Sequence, residues 1–101
     1  MEEIHTDAAP ASIGPFSQGI RDGDRLFVSG QGPVDPDSGE VVSEDIREQT
    51  AQTLENVSAI LDAGGSSLDR VVKSTVFVTD MSDYEAVNDV YAEYVSDPYP
   101  A

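Results

Sequence analysis

Cysteine is absent, lysine occurs once, at Lys73, and Lys plus Arg number only 5 among 101 residues. Without cysteine the chain has no disulfide framework, no thiolate zinc site and no cysteine nucleophile. So few cations can hardly form a basic patch that follows a phosphate backbone, which argues against nucleic acid as a partner. Apolar runs last only a few residues, far short of a membrane span. The acidic start "MEEIHTDAAP" also lacks the apolar stretch of a secretory signal. These absences predict a cytoplasmic protein with neither a membrane nor a nucleic-acid partner.

What is abundant is acid. There are 20 Asp and Glu against 5 Lys and Arg, a net charge of -15. The acids are spread along the chain (Asp22, Asp35, Asp45, Asp62, Asp83 and Asp89 among them) and interleave with apolar residues. That pattern fits a solvated surface better than a disordered acidic tail. Such a surface repels itself in dilute buffer. In about 1 M salt the Debye length falls to roughly 3 Å and the repulsion fades. The expectation is a halophilic protein, adapted to a salt-accumulating cytosol. A chain of 101 residues accommodates one domain, 1–101, with one modest core.

Two short β-type runs, Gln18 to Arg21 and Arg25 to Ser29, flank Asp22-Gly23-Asp24 and predict a hairpin. "GQGPVDPDSGE" after Ser29 reads as a loop with tight turns. From Ser43 to Ala63, Ile46, Thr50, Thr53, Leu54, Val57, Ile60 and Leu61 recur at helical spacing, with Ser43 as N-cap and Gly64-Gly65 as the stop. Val71 to Thr79 is rich in β-formers, and neither of its alternating faces is plainly polar. It predicts a strand covered on both sides, one face meeting another subunit. A second helix is expected from Ser82, with Glu85 completing a capping box and Tyr84, Val87, Val90, Tyr91, Tyr94 and Val95 on its apolar face. Asp97-Pro98 breaks it. The order β-β-α-β-α ends on a β-α unit, which ordinarily feeds a further strand. The pattern therefore predicts a domain without its closing strands.

Few residues stand out chemically. His5 is the only histidine and lies near an end expected to fray. A triad with Ser17 or Ser29 has nothing to orient it. "DPDSGE" puts Gly39 at its fifth position rather than the sixth that a calcium-binding EF-hand requires, so it reads as a turn. In "SGQGP", Gly30 and Gly32 would let a small ligand approach the backbone, with the Ser29 hydroxyl as a hydrogen-bond partner. A strand-terminating turn is the equal alternative. Asn88 is an amide in an otherwise apolar and acidic helix, and spacing alone favours a solvent-facing residue.

Five stretches in register, "AAPASIGPFSQG", "LFVSGQGPVDPDSGEVV", "QTLENVSAILDAGGSSLDRVVKSTVFVTDM", "YEAVNDVYAEYV" and "YPA", resemble the RidA (reactive intermediate deaminase A, or YjgF) family. The resemblance implies an α+β, chorismate-mutase-like fold, one sheet backed by two helices. It also implies a homotrimer with pockets between subunits. The implied activity is hydrolysis of reactive enamines and imines, such as 2-aminoacrylate or 2-iminobutanoate, to 2-keto acids and ammonia, with no metal or cofactor. Matched residue by residue, Ser29 and Gly30 line the pocket, Asn88 contacts it, and Phe16 stands where many members carry tyrosine.

In the family an arginine that holds the substrate carboxylate follows the stretch matched by Pro100-Ala101, and a later glutamate positions water. Neither is in this sequence, so its catalytic residues are unassigned. The expectation is a partial copy of a longer product. A shortened, non-catalytic small-molecule-binding or regulatory trimer, and a chain completed by a partner's strands, are the alternatives. Ribonuclease activity, known for some relatives, suits the charge of -15 least.

Overall fold

The computed structural model describes residues 1–101. Three strands, β1 (Glu2–Ile4), β2 (Gly19–Asp22) and β3 (Arg25–Val28), form an antiparallel sheet in the order β1-β2-β3. The predicted hairpin is present, with Asp22 opposite Arg25 and Gly19 opposite Val28. The N-terminal residues expected to fray instead add a strand, because Ile4 pairs with Gly19 and is buried in the core. Ile4, Ala9 and Ile60 form that core, with Leu26, Val28 and Ala59 packed around them.

Helix α1 (Ile46–Ala63) lies against β3. Its N-cap is Asp45, whose carboxylate accepts from the Glu48 N–H, and not Ser43 as predicted. Ser43 instead accepts the Asp45 N–H through its hydroxyl, one step outside the helix. Gly64 and Gly65 end α1 as expected. Gly65 takes φ 80°, and the Ser66 and Gly65 N–H groups return to the Leu61 and Asp62 carbonyls, a Schellman closure that needs a left-handed residue. The Arg21 guanidinium donates to the Gly64 carbonyl, placing a cation at the negative end of the helix dipole. Gly19 is fixed by packing: a Cβ there would lie 3.0 Å from Ile60 Cγ2.

Helix α2 (Tyr84–Tyr94) packs on α1, burying Val87 and Val90, while Arg47–Asp89 and Tyr94–Glu55 bonds join the two helices. The capping box predicted at Ser82 is not formed. A 3-10 turn over Met81–Asp83 precedes the helix, and Asp80 caps that turn by accepting from the Ser82 N–H.

The largest departure is the run 71–79, predicted as a strand. It belongs to no sheet. Ala101 donates to the Val72 carbonyl (2.9 Å) and accepts from the Ser74 N–H (2.8 Å), the spacing of a single parallel bridge centred on Lys73. A strand needs a ladder, and β-propensity alone cannot supply one. Most of the run is open within the chain: Val72 is 83% and Phe77 90% exposed, while Ser74 and Val78 are half-buried and the Ser74 hydroxyl meets Tyr91 of α2 at 2.7 Å. The result is a small α+β protein of three antiparallel strands and two helices. No helix is long and apolar enough to cross a membrane.

Candidate functional site

Where β3 ends, Ser29 is held twice. Its N–H donates to the Gln18 carbonyl (2.9 Å), and its hydroxyl donates to the Ser17 carbonyl (2.6 Å). With its proton committed to Ser17, the Ser29 oxygen has only lone pairs to offer a ligand and acts as an acceptor. Beyond it the chain runs through Gly30, Gln31 and Gly32 along one side of a cleft of about 490 Å³. Residues 10–13 and Phe16 form the other side. A Cβ at Gly30 or Gly32 would meet no atom within 4 Å, so packing does not require glycine at either place. Their bare backbone lies open to an approaching molecule.

The cleft is small-molecule sized and carries no charged residue in its lining. Three of the residues singled out from the sequence, Phe16, Ser29 and Gly30, therefore share one surface. Asn88 does not join them: it is exposed on α2 and outside the lining of this cleft. His5 pairs only with Asp7, at 3.3 Å on the surface. The "DPDSGE" stretch is a turn, with Asp35 accepting from the Asp37 and Ser38 N–H groups. Those bonds, that from Ser38 first, hold the Asp35 carboxyl below its ordinary pKa. No group of three or more His, Asp or Glu is arranged to hold a metal ion.

Two residues that sequence reasoning passed over hold the walls. Gln18, 2% exposed, accepts from the Thr6 N–H and donates to the Thr6, Ala9 and Pro10 carbonyls. Asn56, 1% exposed, donates to the Gly32 and Val34 carbonyls and accepts from Gln52. The signal for Asn56 was present: it lies three residues after Thr53 and four before Ile60, on the inward stripe of α1. A polar residue on such a stripe must find partners inside. Gln18 gave no comparable signal.

Comparison with known proteins gives the family of this fold. A family model described as Endoribonuclease L-PSP matches residues 6–101. A RutC family protein of Pyrococcus horikoshii is 52% identical over 100 residues, 99% of this chain and 79% of that protein. The 2-iminobutanoate/2-iminopropanoate deaminase of Capra hircus is 43% identical over 98 residues, 97% of this chain and 72% of that protein. The crystal structure of RidA from the Antarctic bacterium Psychrobacter sp. PAMC 21119 matches with a TM-score of 0.95 and 42% identity, over 100% of this chain and 81% of its own. The chain belongs to the RidA/YjgF family.

Proposed function

We propose that this protein is a hydrolytic deaminase of small enamine and imine intermediates of the 2-aminoacrylate and 2-iminobutanoate type. It acts in the cytoplasm without a cofactor and releases a 2-keto acid and ammonia. The observation that carries this reading is the meeting of Phe16, Ser29 and Gly30 on one uncharged cleft, with the Ser29 oxygen left as an acceptor. Water adds to the imine carbon, the C=N electron pair moves to nitrogen, and the carbinolamine collapses to C=O as ammonia leaves. An acceptor beside the imine orients the attacking water or the substrate N–H, and a fixed pose lowers the entropic part of the barrier.

The substrate carboxylate needs a counter-charge from outside the residues that line the cleft. Assembly is part of the proposal for that reason. The exposed Val72, Val76 and Phe77 suit burial against further copies in a homotrimer. Asn88 would then serve a site completed across a subunit boundary. Cleavage of RNA has little support, because no cation lines the cleft and the net charge is -15.

The test is release of ammonia and 2-oxobutanoate from 2-iminobutanoate generated in situ by a pyridoxal-phosphate dehydratase. We expect acceleration by the protein and a loss of about threefold to tenfold in kcat/KM for Ser29→Ala, the worth of one ordinary hydrogen bond. No acceleration, with 2-oxobutanoate still bound, would favour a non-catalytic binding protein, which the uncharged lining suits. The assay belongs in molar KCl, where the charge predicts the highest melting temperature. A melting temperature that falls or stays level from dilute buffer to molar KCl contradicts the halophilic reading.

A further inference from the structure

Gln18 and Asn56 are the two buried polar side chains of the protein, and each bonds to one wall of the Ser29 cleft. We propose that they are a matched pair of positioning residues. Gln18 sets the wall formed by residues 10–13, Asn56 sets the wall formed by residues 32–34, and together they fix the width of the cleft. They thereby select small, planar 2-keto-acid-type ligands over longer ones. The inference rests on the reading of this cleft as the ligand site.

The argument starts from what the walls lack. Both are irregular segments, and Pro10 and Pro33 interrupt the run of backbone N–H donors along them. Carbonyls in such segments turn to water unless a donor is brought to them. Gln18 sits at the base of β2, beside Gly19, which pairs with Ile4 at the point where β1 leaves the sheet. From there its Nε2 reaches the Pro10 carbonyl at 2.9 Å and the Thr6 carbonyl at 3.0 Å, and its Oε1 holds the Thr6 N–H at 2.7 Å. Asn56 is the counterpart on α1. Its two amide hydrogens go to the Gly32 carbonyl (3.1 Å) and the Val34 carbonyl (2.9 Å), straddling Pro33.

Gln52 completes that arrangement. Its Nε2 donates to Asn56 Oδ1 at 2.9 Å, which turns the amide so that both hydrogens point to the wall. No buried polar side-chain atom is left without a partner. A residue whose only task was to fill space beside Ile60 would be apolar, since burying an amide gives little net stability. What a saturated amide adds is a fixed separation between backbone segments. Here one such separation is set from the sheet and the other from the helix, and the sheet and helix share a single core.

The test uses Asn56→Asp and Gln18→Glu, which keep shape and one acceptor while replacing the NH2 donor with oxygen that repels the wall carbonyls. Amide exchange reads the walls directly: the Asp35 and Val42 N–H groups report beside Asn56, and the Thr6 and Ala8 N–H groups report beside Gln18. We expect exchange about tenfold faster at the matching reporters with α1 amides unchanged. We also expect KM for 2-iminobutanoate, or Kd for 2-oxobutanoate, to rise about tenfold while that for a longer 2-keto acid rises less. Equal acceleration throughout α1, or unchanged wall reporters, would reduce both amides to general stability and overturn the proposal. So would an opened wall with unchanged KM and Kd.

Where Asn56→Asp fails to fold, Gln52→Ala strips the orienting donor from a half-buried position. It should speed exchange at Asp35 and Val42 about threefold, and no change there overturns the Asn56 half. Failure of the parent protein to hydrolyse imine, with wall-selective exchange and ligand-size selection intact, would remove the deaminase reading and leave the positioning pair standing.

Discussion

Asn56 and Phe77 lie at opposite extremes of burial: an amide 1% exposed and an aromatic ring 90% exposed. Ordinary burial preferences run the other way. Around Asn56 the protein supplies everything that the residue needs. Two wall carbonyls take its hydrogens, Gln52 orients it, and α1 carries it into the layer that holds Ile60. Around Phe77 the chain supplies little, and residues 72–79 have only two backbone bonds, both to Ala101. The contrast teaches where the molecule is self-sufficient. The β1–β3 sheet and α1 share a core within the chain, whereas the run 71–79 leaves most of its β-forming residues exposed.

The strongest way to sharpen the contrast is to make Phe77 suit the solvent that it faces. Phe77→Asp should leave the cleft half folded, with the β2–β3 and α1 amides still protected, and abolish assembly. Sedimentation would then give the mass of one chain where the parent gives a multiple of it. An unchanged mass would break the link between the exposed run and association.

A smaller effect is expected from Gly19→Ala, on the closed side. The new methyl would sit 3.0 Å from Ile60 Cγ2 and 3.4 Å from the Phe27 carbonyl, and the carbonyl cannot move without the β2–β3 ladder. Overpacking of this kind costs about 1–3 kcal/mol. Denaturant melts should show the loss, and unchanged stability would mean that the sheet and α1 are less tightly joined than their contacts imply.

The least effect is that of acid on the turn that ends one cleft wall. Asp35 is held below its ordinary pKa by the Ser38 and Asp37 N–H groups, so the turn is stabilised by the ionised carboxylate. Its contribution is complete above the unfolded-state pKa and is lost as pH falls through the lower, folded one. Carboxyl titration followed by NMR should place the Asp35 midpoint below that of a free aspartate, and the Asp37 and Ser38 amide signals should move with it. A midpoint at or above the ordinary value would remove the turn's carboxylate support.

Much of this was legible in the chain. Hairpin and helix followed from periodicity and from Gly64-Gly65, while "SGQGP" after a strand left a ligand-facing turn and a plain strand-ending turn equally open. The misses have separate physical causes. The cap of α1 fell to Asp45 because two competent cap residues, Ser43 and Asp45, lie close together and only geometry chooses between them. Residues 71–79 read as a strand because propensity registers side chains and not whether a ladder partner is present. Gln18 was invisible because its bonds go to backbone carbonyls 8 to 12 residues away, which no side-chain pattern encodes.

The central claim is that the Ser29 cleft is where a small imine or its keto-acid product sits. The direct measurement is a titration of the isotope-labelled protein with 2-oxobutanoate in molar KCl, followed through backbone amide shifts. The account predicts saturable shifts at Phe16 and at residues 29–32. Shifts confined to a separate crevice, the one between residues 69–72 and 96–100, or none at saturating ligand, would contradict it.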